Sequence, residues 1–407
     1  MDTALTRSQF VRWRTAIFVI FLASGLSIAT WASRVPSIAE ALGIDKAQIG
    51  LLLLGMGISS IVGISTGPLV MARTGARVGM LIMMLVFGAG VLLIGLGTDV
   101  FGALPVVVLG MMLFGYGNGS VDVMMNVEAT AIEQQMGKTI LPVFHAFFSF
   151  GTVIGAGIGA LAALLGLNVA AHTALISALI LVAAVGCYTQ VPVREAALDP
   201  APEEKPHWRE RVHTAFEAWR EPRIYALGVV MLGMSFAEGG ANDWIALGVV
   251  EGHHQEPGMG ALALAVFSVG MTVVRLLGGP LVDRFGRVAV LRVLAATAAA
   301  GILLFILGPT LPLVLVGAAL WGIGASLGFP LGMSAAADDP AKAAARVSAA
   351  ATIGYVAFLG GPPLLGLISE QIGLLNTLYI LVALVVLSGL FSAAARPLRA
   401  DEKTPVA

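Results

Sequence analysis

Long apolar segments alternate with short polar ones along the whole chain. Twelve of the apolar segments are long enough to cross a hydrocarbon layer of about 30 Å as a helix that rises about 1.5 Å per residue. They cover residues 14–33, 48–72, 78–98, 103–128, 140–166, 168–192, 224–250, 260–282, 289–308, 311–335, 346–371 and 374–395. This pattern predicts an all-α membrane protein with twelve transmembrane helices. The first segment is interpreted as a retained span and not a signal peptide, because eleven others follow it.

The composition also points to a lipid environment. Hydrophobic residues make up 58% of the 407 residues and charged residues only 12%, whereas a soluble globular protein carries about 25% charged residues. The single cysteine, Cys187, excludes an internal disulfide and is interpreted as a small buried hydrophobic residue.

The basic residues predict the orientation in the membrane. Of the 23 Lys and Arg residues, all but Arg34 and Lys46 fall in or beside the segments that face the cytoplasm when the N-terminus is placed inside. An even number of spans then puts both termini in the cytoplasm, and the expected location is the inner (plasma) membrane. Residues 193–223 form the longest polar stretch and divide the chain into an N-terminal six-helix bundle (1–192) and a C-terminal bundle with a short tail (224–407). Within that stretch an amphipathic helix is predicted, either on the membrane surface or as a solvated linker.

Two segments of the chain are nearly repeated. Gly67–Arg77 (GPLVMARTGAR) recurs as Gly279–Arg287 (GPLVDRFGR), each copy lying in a short basic turn between two apolar segments. Leu113–Gly117 in the fourth span is likewise similar to Leu320–Gly324 in the tenth. A duplicated helix–turn–helix unit in a very hydrophobic chain favours a transporter built from two related halves.

The spans and the repeated turn together resemble the major facilitator superfamily. The residues that carry this resemblance are the pattern Gly-x-x-x-Asp-Arg-x-Gly-Arg at Gly279–Arg287 and its altered first copy, in which Ala72 stands where the aspartate is expected. The resemblance implies two pseudo-symmetric six-helix bundles and a loop that closes the cytoplasmic side in the outward-open state. The gating residues that it implies are Arg73, Gly75, Arg77, Asp283, Arg284, Gly286 and Arg287.

The fourth and fifth spans show a narrower resemblance, to the fucose–proton symporter branch. Asp122-Val-Met-Met-Asn126 is similar to the Glu-x-x-x-Asn of that branch, whose acidic residue is a proton and substrate site. Ser149 and Gly151 match its Gln-x-x-Asn-Ser-x-Gly, although His145 replaces the glutamine. The resemblance implies proton coupling, and fucose itself is not implied as the substrate.

Polar residues inside the spans indicate a site independently of any family. A charged side chain near the bilayer centre costs roughly 2.5–3.5 kcal/mol or more, so it usually faces a water-filled cavity or a partner. Asn118, Asp122 and Asn126 are spaced four apart and share one helix face, and Glu238 and Asn242 repeat that spacing in the seventh span. A carboxylate in a partly desolvated cavity suits proton exchange near neutral pH, so Asp122 and Glu238 are the predicted proton-coupling residues.

A structural role is the competing interpretation for each of these residues. Glu238 could pair with Arg275, His145 could be a packing histidine, and Trp31 and Tyr116 could pack instead of stacking on a sugar ring. The predicted substrate-binding residues are Asn118, Asn126, His145, Asn242, Trp31 and Tyr116. Two further expectations concern structure alone: Glu128 is solvated at a helix end, and the sequence Gly360-Gly361-Pro362-Pro363 breaks or bends the eleventh span.

The function predicted from these features is secondary active transport, most simply proton-coupled symport of a small polar solute such as a sugar, by alternating access. One alternative is a proton-coupled exporter of drugs or metabolites, with Met111, Met112, Met124 and Met125 lining a flexible cavity. The other is a non-transporting membrane receptor on a transporter fold. Because two Gly-x-Ser-x-Gly matches lie within apolar spans and no phosphate-binding loop is found, no enzymatic activity is expected. We expect a monomer with no cofactor, metal or nucleic-acid partner.

Overall fold

The computed structural model describes residues 6–136, 140–192, 218–339 and 342–398. Within these ranges the chain is helical and contains no β-strand. The α-helices are α1 Arg7–Leu42, α2 Lys46–Gly95, α3 Leu104–Met136, α4 Leu141–Leu164, α5 Val169–Tyr188, α6 Pro222–Leu247, α7 Pro257–Phe285, α8 Arg287–Leu307, α9 Leu311–Ala325, α10 Gly328–Ala336, α11 Ala343–Ile372, α12 Leu374–Thr377 and α13 Tyr379–Phe391. Local sequence sets several ends: Thr6 and Gln9 form a capping box at the start of α1, which stops at the left-handed Gly43.

The twelve predicted spans are confirmed. Ten helical segments have the length and apolar composition to cross a membrane, and one of them, Lys46–Val100, is 55 residues long and contains the second and third spans. The eleventh span corresponds to α11, a helix of 30 residues. Side chains such as Val182, Val293 and Leu390 remain 69%, 64% and 70% exposed, and this much outward-facing apolar surface is typical of contact with lipid.

The described residues fall into two compact units. Unit 1 lies within residues 1–200 and 254–265, and unit 2 within residues 201–253 and 266–407. In unit 1, α2 packs against α3 and α5, while α1 packs against α4. In unit 2, α6 packs against α11 and α13, and α8 packs against α9 and α13. Residues 193–217 lie outside the described part of the chain, and most of the predicted linker helix falls among them.

The repeated turn has the same backbone in both copies. Gly75 interrupts α2 at φ 74°, ψ 159°, and Gly286 separates α7 from α8 at φ 78°, ψ 156°. Only glycine adopts this region readily. The glycine of each copy therefore turns the chain from one span into the next in the same way.

Helix packing repeats as well. A Cβ added to Gly115 of α3 would collide with the carbonyl oxygen of Met56 on α2, and one added to Gly322 of α9 would collide with the carbonyl oxygen of Phe267 on α7. Close backbone contact at a small residue is a common way for helices to pack in lipid. The similarity between Leu113–Gly117 and Leu320–Gly324 thus reflects equivalent helix contacts in the two units.

Two spans of unit 2 differ from the sequence-based expectation. The eleventh span has no break at Pro362 and Pro363, because α11 continues through both, and the alternative of a bend there stays a prediction. The break lies instead in the tenth span, where α9 ends at Ala325 and α10 begins at Gly328. Ser326 and Leu327 lie in this interruption, which frees backbone groups for other partners.

Candidate functional site

A row of polar side chains lies on α3 in unit 1. The Asn126 side-chain amide donates to the Asp122 carbonyl oxygen at 2.8 Å and to the Asp122 carboxylate at 3.3 Å. One turn earlier, the Ser24 hydroxyl of α1 donates to Asn118 Oδ1 at 2.7 Å. Asp122 is partly buried, and no cationic side chain among the described residues pairs with it. Unit 1 therefore presents a membrane-embedded carboxylate whose only described side-chain partner is an amide.

His145 lies on α4 beside this part of α1. Its ring meets the ring of Phe21 edge to face, with 5.3 Å between centroids, and its side chain is exposed. An imidazole at the surface of the unit can both donate and accept hydrogen bonds. His145 thus has the accessibility that the predicted substrate-binding role requires.

The two predicted aromatic residues of unit 1 differ in access. Trp31 is only 4% exposed, and its indole N–H has no partner among the described residues. Tyr116 is partly buried, and its hydroxyl lies 3.4 Å from the Thr66 hydroxyl. Tyr116 is therefore the more accessible of the two for contact with a solute.

The sequence-based expectation for Glu128 is wrong. Glu128 is 4% exposed and accepts a hydrogen bond of 2.7 Å from the buried indole of Trp13. The signal was present in the spacing, because Glu128 follows Val121 and Met125 at intervals of four and three residues on the buried face of α3. Its position near the helix end, which suggested solvation, was the weaker guide.

The corresponding carboxylate of unit 2, Glu238, has a cationic partner. Glu238 of α6 forms an ion pair of 2.8 Å with Arg275 of α7, and the two side chains are 17% and 22% exposed. Arg275 Nε also donates to the Ser326 carbonyl oxygen at 3.1 Å. That carbonyl lies in the interruption between α9 and α10, so one guanidinium links three helical segments. The pairing that competed with a proton-coupling role for Glu238 is present in the structure.

Two neighbouring residues of α6 follow Glu238. Asn242 is partly buried one turn later. Asp243 and Trp244 line a small cavity against Gly361 and Pro362 of α11. Asp243 has no hydrogen-bond or ion-pair partner in the described part of the chain, although it lines this cavity.

The implied gating residues lie around the two repeated turns. The Arg77 guanidinium stacks over the Tyr188 ring at 4.3 Å in unit 1, and Arg284 lies over the ring of Phe285 at 5.3 Å in unit 2. Arg73 and Asp283 are exposed. Their side chains therefore differ in surroundings, although the glycine backbone of the turn is repeated.

An ion-pair cluster that the sequence did not predict adjoins the second turn. Arg287 and Arg223 both pair with Asp338, at 2.6 and 3.0 Å. The next residue, Asp339, is fully buried and pairs with Arg346 at 3.2 Å. The sequence signal for this cluster is the pair of adjacent aspartates after the tenth span, in a segment predicted to face the cytoplasm, where most of the arginines lie.

Twelve apolar spans, a repeated turn and ionisable side chains inside the spans define a multi-pass membrane protein of the transporter class. The family model described as Major Facilitator Superfamily matches residues 16–256 and 244–407. The chain belongs to the major facilitator superfamily, and it is a transporter and not an enzyme. Transporters of this superfamily handle small-molecule substrates within the membrane.

Individual proteins agree with this assignment. The chain is 31% identical over 366 residues to y4wD, an uncharacterized transporter of Sinorhizobium fredii, covering 89% of this chain and 93% of that protein. Its fold is similar to a crystal structure of the nucleoside transporter NupG, with a TM-score of 0.76 at 15% identity, covering 95% and 100% of the two chains. It is also similar to the E. coli fucose:proton symporter FucP, with a TM-score of 0.63 at 16% identity, covering 96% and 100%.

Proposed function

We propose that this protein is a proton-coupled symporter of a small polyhydroxylated solute, such as a sugar, and that Asp122 carries the coupling proton. The observation that supports this most directly is the carboxylate of α3 without a described cationic partner. A charge held alone in a membrane segment is expensive, and a proton removes that charge. Solute binding beside Asp122 then favours one protonation state of its carboxylate, and this preference couples the transport of the solute to the transport of the proton.

The solute class follows from the polar groups around Asp122. Asn118 and Asn126 on the same face of α3, with His145 on α4 and Tyr116 nearby in sequence, supply both donors and acceptors. Such a set suits hydroxyl groups, each of which donates and accepts. The names of two structural neighbours support the same class, since fucose and nucleosides both present a hydroxylated sugar ring.

Glu238 is the second candidate for proton coupling, together with Asn242 on the same helix. Its ion pair with Arg275 changes what a proton would do there. Protonation of Glu238 would release Arg275 from its partner, so this pair suits a switch between two states better than a resting proton carrier. The implied gating residues Arg73, Gly75, Arg77, Asp283, Arg284, Gly286 and Arg287 would close the cytoplasmic side during the cycle.

The proposed topology places both termini in the cytoplasm and the monomer in the inner membrane. The bundles of residues 1–192 and 224–407, joined by the linker of residues 193–223, would rock to expose the site to each side in turn.

The exporter alternative depends on a flexible cavity lined by methionine. Met111, Met124 and Met125 are at most 1% exposed, and only Met112 of these four, at 46%, is exposed, so a cavity lined by this group of methionines is not favoured.

The test is the external pH of lightly buffered, de-energised cells that overproduce the protein, recorded on adding single monosaccharides and nucleosides. Alkalinisation with one solute, lost in Asp122→Asn, is the expected result. Glu40→Gln is the matched control, because Glu40 is an exposed carboxylate at the end of α1. A response that survives in Asp122→Asn moves the proton to another group, with Glu238→Gln as the next variant. Silence with every solute would contradict symport of this class.

A further inference from the structure

A small cavity in unit 2 plays no part in the function proposed above. It lies between α6 and α11 and has room for about one water-sized occupant, too little for a sugar. Asp243 is the only charged side chain among the described residues that line it. The cavity therefore offers a single negative charge to something small.

The α11 side of the cavity contains a proline, which leaves a backbone carbonyl oxygen of α11 without its usual helical donor. Pro362 lines the cavity and, as a proline, has no N–H to donate. In a regular α-helix that N–H would bind the carbonyl oxygen four residues earlier, at Phe358. The Phe358 carbonyl thus lacks its usual partner on the face of α11 where Pro362 borders the cavity. A proton could bind to the Asp243 carboxylate alone. A metal cation would be bound more tightly if the Phe358 carbonyl oxygen coordinated it together with that carboxylate.

Trp244 also lines the cavity. Trp244 is fully buried in the cavity wall, and its N–H has no partner among the described residues. This N–H donates and so cannot bind a cation directly. It suits the Asp243 carboxylate or a water molecule that a cation holds.

We propose that Asp243 and the Phe358 carbonyl form a sodium-binding site within unit 2. Small hard cations prefer carboxylate and carbonyl oxygens, and backbone carbonyls freed from helical bonding bind Na⁺ in other transporters with interrupted helices. The site does not depend on the proposed function, because sodium would bind without solute and without Asp122.

The experiment measures binding of ²²Na⁺ to the purified full-length protein in detergent, with choline chloride holding the ionic strength constant. We expect saturable binding of about one ion per chain, displaced by unlabelled NaCl and poorly by KCl. Asp243→Asn removes the only charged ligand and should weaken binding by on the order of tenfold or more. Asp122→Asn should leave it unchanged, which separates this site from the proposed proton carrier.

A pair of proline variants tests the carbonyl. Pro362→Ala restores the N–H that binds the Phe358 carbonyl, and should weaken sodium binding severalfold. Pro363→Ala is the matched control: it restores the donor for Leu359, but Pro363 does not line the cavity, so binding should be retained. The proline pair decides the question even where Asp243→Asn does not fold. Absence of saturable binding, or equal binding by all of these variants, would overturn the sodium site.

Discussion

The two units repeat a backbone but not its electrostatics. In unit 1, Asp122 on α3 has the Asn126 amide as its described side-chain partner. In unit 2, Glu238 on α6 is paired with Arg275 at 2.8 Å. The turns at Gly75 and Gly286, by contrast, agree within about 4° in both dihedral angles. Duplication has thus preserved the positions that fix the chain path, while the charged positions have diverged between the halves.

The divergence has a local structural basis. Arg275 is held on two sides, by the Glu238 carboxylate and by the Ser326 carbonyl. The second contact exists because the tenth span is interrupted after Ala325, whereas its counterpart α3 is continuous across Asp122. An interrupted helix thus helps to hold the guanidinium in unit 2.

The largest expected effect comes from removing that guanidinium. Arg275→Met leaves Glu238 charged without its partner and the Ser326 carbonyl without a donor. Breaking a buried pair on one side costs about 3–5 kcal/mol, and the partial exposure of this pair places the expected loss near the lower figure. Thermal unfolding of the purified protein measures it.

The double variant Arg275→Met with Glu238→Gln is the control for this interpretation. It removes the uncompensated charge, so it should recover a large part of the lost stability. If the double variant is no more stable than Arg275→Met, the ion pair is not what stabilises this part of unit 2.

The repeated glycines should give matched, smaller effects. Neither Gly75 nor Gly286 has atoms within 4 Å of an added Cβ, so alanine there introduces backbone strain alone, of order 1–3 kcal/mol at each position. Gly279→Ala is the control, since Gly279 has equally open space and no positive φ. Its replacement should be neutral or slightly stabilising. Unequal losses at Gly75 and Gly286 would contradict the equivalence of the two turns.

This comparison also separates what the sequence could predict from what it could not. Spans and repeated turns depend on long apolar segments and on glycines, whose physical requirements are local. The twelve spans and the equivalence of Leu113–Gly117 with Leu320–Gly324 were therefore predictable. Whether prolines break a helix depends on the packing around them, and α11 continues through both.

Most partners of the charged side chains could not be predicted from the sequence. Glu238 and Arg275 are 37 residues apart, and the pair could be named as an alternative but not decided. Asp338 with Arg223 joins residues 115 apart, and only the folded chain brings them together. Glu128 is the intermediate case, because its place on the buried face of α3 could have been read from the spacing. Roles of Asp122 and its neighbours in transport stay predictions.

A hydrogen bond between α1 and α3 should make a modest contribution in unit 1. Ser24→Ala removes the buried donor to Asn118 Oδ1, and a loss of about 1 kcal/mol is expected. Ser27→Ala is the control, because the Ala23 carbonyl of the same helix is the only partner of the Ser27 hydroxyl among the described residues. Thermal unfolding should show the larger decrease for Ser24→Ala. Equal decreases would mean that the contact between α1 and α3 adds nothing.

The smallest effect on stability is expected at the residue proposed to matter most for transport. Asp122→Asn removes a charge that has no described cationic partner, and the Asp122 carbonyl still accepts from Asn126. Stability should stay within about 0.5 kcal/mol of the parent or rise. Glu238→Gln, by contrast, weakens a charge-assisted bond to Arg275 and should lose about 1 kcal/mol.

Measuring unfolding and solute-driven alkalinisation on the same two variants sharpens the comparison between the units. A stable Asp122→Asn protein without coupling would mean that unit 1 keeps its carboxylate free of a cation for function and not for folding. A large loss of stability in Asp122→Asn would give that carboxylate a structural role. The carboxylates of the two units would then have different partners but the same structural role.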